Sequence, residues 1–301
     1  MNLNRWVIYQ KERFPLAHYG AIVAAFAYSG LCVSRMMRGE SGLPDFQAFI
    51  AAYLSALILF FQLRVADEFK DHDEDLKYQP TRPVPRGLIK LPELAAVGLI
   101  GAIVQIALSV SYHQSLIFPL ALTWLYFALM SVEFFVGDWL RAHPFTYLWS
   151  HMLILLFVDL FITAFDWMKS STMPPHGLWL FLAVSFLNGV IIEVGRKIKS
   201  PAEEKVGVAT YTSSWGQTTA IAVWLMAIIS SGFFAVTTAV QLGFGMPVMV
   251  MAASLGLVAF TLALKFIKSP KTGKHFESFS GAWTLATYLA LGTIPLLIKT
   301  I

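Results

Sequence analysis

Cysteine is all but missing: Cys32 is the only one in 301 residues, so no intrachain disulfide can form and thiolate metal chemistry has no second ligand. Charge is scarce as well. Charged residues make up 13% of the chain against 57% hydrophobic, where a soluble domain carries roughly 25% charged, and this excludes an ordinary soluble fold. The seven His residues form no His-Glu-x-x-His pattern and no close pair, which leaves zinc hydrolysis unsupported. No Gly-x-x-x-x-Gly-Lys loop, low-complexity tract or coiled-coil heptad occurs.

What the chain has instead is long apolar runs. Nine candidate spans, about 17–37, 45–66, 93–113, 115–136, 145–168, 176–196, 215–239, 244–267 and 276–299, each hold enough residues to cross a bilayer core of about 30 Å as helix. The expected fold is therefore all-α: a polytopic integral membrane protein, read as one domain over 1–301. The polar and aromatic start reads as a retained segment, 1–16, because the first apolar run is too long for a signal-peptide core.

With a cytoplasmic N-terminus, 18 of the 22 Lys and Arg fall on the cytoplasmic side, leaving Arg35, Arg38, Lys169 and Lys299 opposite. The nine-span count and the positive-inside rule thus support one another. The net charge of +4 then records orientation, and nucleic acid is not implied. The cytoplasmic loops 67–92 and 197–214 are the longer and more polar connections, where function tends to ride.

The charge that does occur is concentrated. Six of 18 Asp and Glu lie in Asp67-Glu68-Phe69-Lys70-Asp71-His72-Asp73-Glu74-Asp75, just after the second span. On a helix continuing out of that span, Asp67, Asp71 and Asp75 form an i, i+4, i+8 ladder with Glu68 alongside. Like charges so close repel, whereas Mg²⁺ prefers a few carboxylate oxygens completed by water and phosphates. The Pro-rich turn that follows carries Lys77, Arg82 and Arg86, cations suited to a phosphate-bearing ligand. The alternative is a solvated acidic helix end.

These residues resemble a family. Asp67-Glu68-x-x-Asp71-x-x-x-Asp75 followed by Arg82-Pro83-Val84-Pro85-Arg86-Gly87 is similar to the first Asp-rich motif of the UbiA-type intramembrane prenyltransferases, commonly Asn-Asp-x-x-Asp-x-x-x-Asp and then Arg-Pro-Leu-Pro-Ser-Gly. Asp67 stands in the Asn position and Glu68 in the first Asp position. Arg13-Phe14-Pro15 resembles the Arg-Pro pair with which that family opens. The second motif, Asp-x-x-x-Asp-x-x-x-Gly, departs: Lys199 and Glu203 occupy its Asp positions ahead of Gly207, with Glu204 adjacent and Glu193, Arg196 and Lys197 upstream. Glu193 is a candidate for the missing carboxylate, and the cations can neutralise phosphate directly.

The resemblance implies a nine-helix UbiA-like bundle with a cytoplasmic active site in a bacterial inner membrane. It implies Mg²⁺ at Asp67, Glu68, Asp71, Asp75, Glu193 and Glu203. It further implies an isoprenoid diphosphate donor met by Lys77, Arg82, Arg86, Arg196, Lys197 and Lys199, and an unidentified aromatic or lipid acceptor. Tyr126, Asn188 and Asp159 are candidates for the acceptor pocket, with structural pairing inside the bundle as the other reading. Two further functions stay open: transfer of a phosphorylated sugar to a polyprenyl phosphate, and ion-coupled transport through Glu133, Asp159 and Glu193.

Overall fold

The computed structural model describes residues 3–300, helical almost throughout and without a strand among them. Nine helical stretches are long and apolar enough to cross a membrane among the described residues, one for each expected span. A short helix, α1 (Leu3–Arg13), precedes α2 (Leu16–Met37) and α3 (Phe46–Lys70), and a brief α4 (His72–Tyr78) follows α3 after a single intervening residue. Next come α5 (Leu91–Tyr112), α6 (Ile117–Ser131), α7 (Gly137–Ala142), α8 (Pro144–Met152) and α9 (Ile154–Trp167). The second half comprises α10 (Leu178–Arg196), α11 (Tyr211–Trp215), α12 (Gln217–Gln241), α13 (Gly245–Lys268), α14 (Lys274–Tyr288) and α15 (Ile294–Thr300).

Local chemistry sets the helix ends. Asp45 accepts the Gln47 amide at 3.0 Å to open α3, and the Glu93 carboxylate reaches back to the Lys90 amide at 2.9 Å to open α5. Each supplies a partner to an otherwise orphaned N–H group. Thr210 caps α11 by accepting from Ser213 N at 3.1 Å.

Helix α10 is the central pillar, packed against α12, α14, α9 and α2; α5 and α13 lie outermost, most of their surface left for lipid. Trp224 and Trp283 fill the space beside α10. Their indole N–H groups donate to Ser280 at 2.9 Å and Ser231 at 3.2 Å, as donors buried from water require. A smaller cluster of Tyr9, Val65, Val84, Ile89 and Leu94 clamps α1 and the Pro-rich turn against α3 and α5.

Two expectations need correcting. The fourth span was expected to run to residue 136, but α6 ends at Ser131, and the apolar residues beyond it do not continue the helix. Glu133, Phe134 and Phe135 all take positive φ, at 50°, 52° and 61°, a left-handed turn that costs L-residues about 1–2 kcal/mol each. Glu133 therefore sits in a connecting turn and not in a membrane-spanning helix. The acidic ladder is also not one unbroken helix. Helix α3 stops at Lys70, yet the Asp71 amide still bonds to Asp67 O at 2.9 Å and the Asp75 amide to Asp71 O at 2.8 Å, so the four-residue rhythm survives the junction.

Candidate active site

The end of α3 and the end of α10 emerge on the same face of the bundle, and the two charged loops meet there. Gly207, at φ +75°, lies against Tyr78 of α4, so closely that a Cβ at 207 would fall on the ring. Across this junction the Asp67 carboxylate, 3.4 Å from Arg64, is within electrostatic reach of Arg196, as is Tyr19. Glu193, one turn before the end of α10, holds Arg196 at 2.5 Å and Lys197 at 2.9 Å. Lys197 in turn lies 5.4 Å from the centre of the Tyr211 ring, which stacks on Trp215. Acidic ladder and cationic cluster, 120 or more residues apart in sequence, thus face one another.

The carboxylates do not share one environment. Glu68 is buried and takes the guanidinium of Arg13 at 2.5 Å, and Asp75, also buried, takes Arg82 at 2.5 Å. Asp71 is pushed up to about 6, first by burial and then by the neighbouring Asp67, Asp75 and Glu74 carboxylates, with Lys70 opposing. A carboxylate so crowded by like charge favours an added cation. Arg86 turns away to pair with Glu12 at 2.9 Å, and Lys77 lies over Tyr78, 4.8 Å from the ring centre.

In the second loop, Glu203 accepts from Ser200 N and Oγ at 3.0 Å, from Thr272 Oγ1 at 2.7 Å and from Gly273 N at 2.7 Å. Burial would raise its pKa, but the Ser200 and Gly273 amides and the two hydroxyls outweigh it and hold the group down to about 2. Glu203 thereby clasps the loop to the start of α14. Glu204 accepts from Thr210 and Thr212, and the Lys199 amide donates to Thr212 Oγ1 at 3.1 Å.

Asp159 and Asn188 lie elsewhere, in the bundle interior and fully buried. Asp159 takes the Ser185 hydroxyl; Asn188 donates to Thr287 Oγ1 and accepts from Ser231 Oγ, both at 3.0 Å. Tyr126 donates to Ser150 O at 2.7 Å and packs edge-on against Phe134. Neither an acceptor pocket shared by these three nor an ion path is assembled, because Glu133 and Glu193 each hold two cations of their own.

The residues that sequence reasoning missed are those joining the two motifs to the rest of the bundle. Lys70, inside the first motif, reaches Glu133 at 3.0 Å and the Tyr147 hydroxyl. Tyr147 stacks on His151, ring centres 3.9 Å apart, and is within electrostatic reach of Asp71. The i, i+4 spacing of Tyr147 and His151 near the start of the fifth span was the one available signal.

The sequence matches the family model described as "UbiA prenyltransferase family" over residues 23–291, nearly its whole length. The chain belongs to the UbiA prenyltransferase family. Its fold is shared with solved UbiA structures. One is the apo structure of a UbiA homolog from Aeropyrum pernix K1, 15% identical, with a TM-score of 0.68 over 94% of this chain and 98% of that one. Another comes from a structural study of digeranylgeranylglyceryl phosphate synthase in membranes, 14% identical, with a TM-score of 0.61 over 99% of each chain. No curated protein matches the sequence.

A UbiA enzyme implies a divalent cation, and the residues present accept one. Among the described residues no three His, Cys, Asp or Glu side chains form a cage, but Mg²⁺ commonly uses one or two carboxylates and completes its shell with substrate phosphate and water. Asp67 and Asp71 fit that role. Glu68, Asp75, Glu193 and Glu203, expected with them, are each held by partners within the protein.

Proposed function

We propose that this UbiA-family protein transfers a prenyl group from an isoprenoid diphosphate to an aromatic or lipid acceptor within the membrane, with Mg²⁺ held at Asp67 and Asp71. The observation that supports it is the apposition of the crowded Asp67–Asp71 carboxylates to the Arg64, Arg196 and Lys197 cations at the end of an apolar bundle. The bound metal would supply a bridge between the carboxylates and the diphosphate oxygens. Glu68 and Asp75, tied to Arg13 and Arg82, hold the ladder and the Pro-rich turn in register around it.

In the reaction the allylic C–O bond breaks and its electron pair leaves with the diphosphate. Arg196, Lys197 and Lys199 offset the charge that develops there, most effectively where water is excluded. The aromatic faces of Tyr147, Tyr211 and Trp215 stand close enough to this polar cluster to stabilise the allylic cation by cation–π contact. The acceptor then supplies the electron pair for the new bond and loses a proton. By the charge asymmetry of the loops, the site opens to the cytoplasm of a bacterial inner membrane.

The test is diphosphate release by the purified protein in lipid, offered prenyl diphosphates of several lengths with a pooled extract of acceptors. Release should require Mg²⁺ and an acceptor, and should fall at least 100-fold (~10² or more, the scale on which loss of a transition-state contact is felt) in Asp71→Asn while thermal unfolding is unchanged. Wild-type turnover in that variant removes the site assignment. Release from a sugar diphosphate with none from prenyl diphosphates assigns the cationic second loop to a phosphorylated-sugar donor.

A further inference from the structure

Beside the candidate active site, a cleft of about 490 Å³ opens between the end of α3 and the left-handed turn after α6. It is lined by Ala66, Phe69 and Lys70 on one side and by Ser131, Glu133 and Arg141 on the other. Nothing in the donor chemistry above uses it. Its volume lies within the range of small-molecule sites, and its charges are specific. Lys70 Nζ and Arg141 Nη1 approach the two oxygens of a single carboxylate, Glu133, at 3.0 and 2.8 Å, which leaves one positive charge in excess on the lining.

The backbone that presents Glu133 is strained over three successive non-glycine residues, and such strain persists where surrounding contacts over-determine it, often at ligand clamps. The rim is apolar and open: Phe69, Val132, Phe135 and Trp139 are all exposed, level with the ends of helices whose remaining surface faces lipid. A charged interior with an apolar, lipid-level rim suits a ligand with an anionic head and a hydrocarbon tail. The single carboxylate already bridges two cations, so a second metal-diphosphate site is not what this lining provides.

We infer that this cleft binds the carboxylate or phosphate head of an anionic amphiphile, between Lys70 and Arg141, and that this amphiphile is the acceptor. Lys70 precedes Asp71 directly and shares Tyr147 with it through a hydroxyl contact and an electrostatic one, so a head bound here stands next to the donor's carboxylates. The Glu133 carboxylate occupies the place of the ligand's own and competes with it. That the ligand is the acceptor rests on the transferase reading; that the cleft holds an anionic amphiphile does not.

The experiment uses the full-length protein in neutral maltoside micelles, titrated with dodecyl phosphate and followed by calorimetry. Saturable one-site binding is expected, weakened at least tenfold (about 1.4 kcal/mol) by Arg141→Gln and by Lys70→Met. Affinity should be retained in Arg141→Lys and in the distant control Lys271→Gln, and should be several-fold tighter in Glu133→Gln. The last effect separates a ligand site from a merely structural ion pair, whose loss would lower thermal stability without tightening anything. Equal affinity in Arg141→Gln and wild type overturns the cleft assignment. Inorganic phosphate or dodecylphosphocholine displacing the probe as well as dodecyl phosphate itself overturns the anionic-amphiphile class. Asp71→Asn should bind the probe normally, so a failed donor assay and a failed cleft are told apart. Where turnover is measured, Arg141→Gln should raise KM for the acceptor and leave that for the prenyl diphosphate unchanged; the reverse pattern overturns the acceptor role.

Discussion

Arg13, the last residue of α1, lies with its Nε 2.5 Å from the Glu68 carboxylate, a group only 1% exposed. The contact spans 55 residues and fastens the segment before the first spanning helix to the centre of the acidic motif. Removing one partner of a buried pair leaves the other charged and desolvated, at about 3–5 kcal/mol. Arg13→Gln should therefore lower the thermal unfolding midpoint markedly, and the double variant Arg13→Gln/Glu68→Gln should recover most of the loss. Additive losses in that cycle would show that the two residues act independently.

Gly207 allows the second loop to lie on Tyr78. Gly207→Ala forces an L-residue into the left-handed region, at about 1–2 kcal/mol, and drives a methyl group into the ring. Proteolysis within 197–210 should become faster, and KM for the diphosphate donor should rise more than kcat falls. Unchanged protease resistance would mean that the loops meet by some other contact.

Glu203 predicts a pH dependence of known sign. Its carboxyl is held down to about 2 in the folded chain, so the unfolded chain binds the proton more readily and the clasp stabilises at pH above the ordinary value of 4.5. That contribution is lost as pH falls from about 4.5 towards 2. The difference in unfolding midpoint between wild type and Glu203→Gln should be full at pH 6 and smaller at pH 3. A difference that does not change with pH would mean that Glu203 is not tied to Ser200 and Gly273.

Asp159 and Asn188 should behave as structural residues. Asp159→Asn keeps the shape and removes a charge from an apolar interior, so stability should hold or rise and turnover should persist. Asn188→Ala strands Thr287 and Ser231, each left-over buried group worth about 1–3 kcal/mol, and should destabilise without a selective effect on KM. Loss of turnover in a stable Asp159→Asn protein would return this carboxylate to the active site.

The nine spans could be read from the sequence because hydrocarbon thickness imposes a length that apolar runs reveal directly. The same signal misled at the fourth span, where Phe134 and Phe135 prolong the apolar run although their backbone is left-handed. In the motif, the identity of the acidic residues was legible and their division of labour was not. Whether Glu68 or Asp71 is free depends on Arg13, reached only through the packing of α1 on α3. Glu203 looked like a metal ligand by position, yet its four donors come from Ser200 and from Thr272 and Gly273, the latter pair about 70 residues away.

The last spanning helix holds one more consequence. Between α14 and α15, residues Leu289–Thr293 form a π-turn, with Thr293 bonded to Ser29 at 3.0 Å and Gly292 pressed against the Ser29 backbone. A π-turn is one residue more than an α-helix needs, and each helical residue turns the face by roughly 100°. The outer tip of this helix is thus dialled round relative to its inner part, like a ratchet advanced by one tooth. A single-residue deletion there would swing Ile294–Thr300 to a new bearing while the end at Lys274, held near Glu203, kept its own.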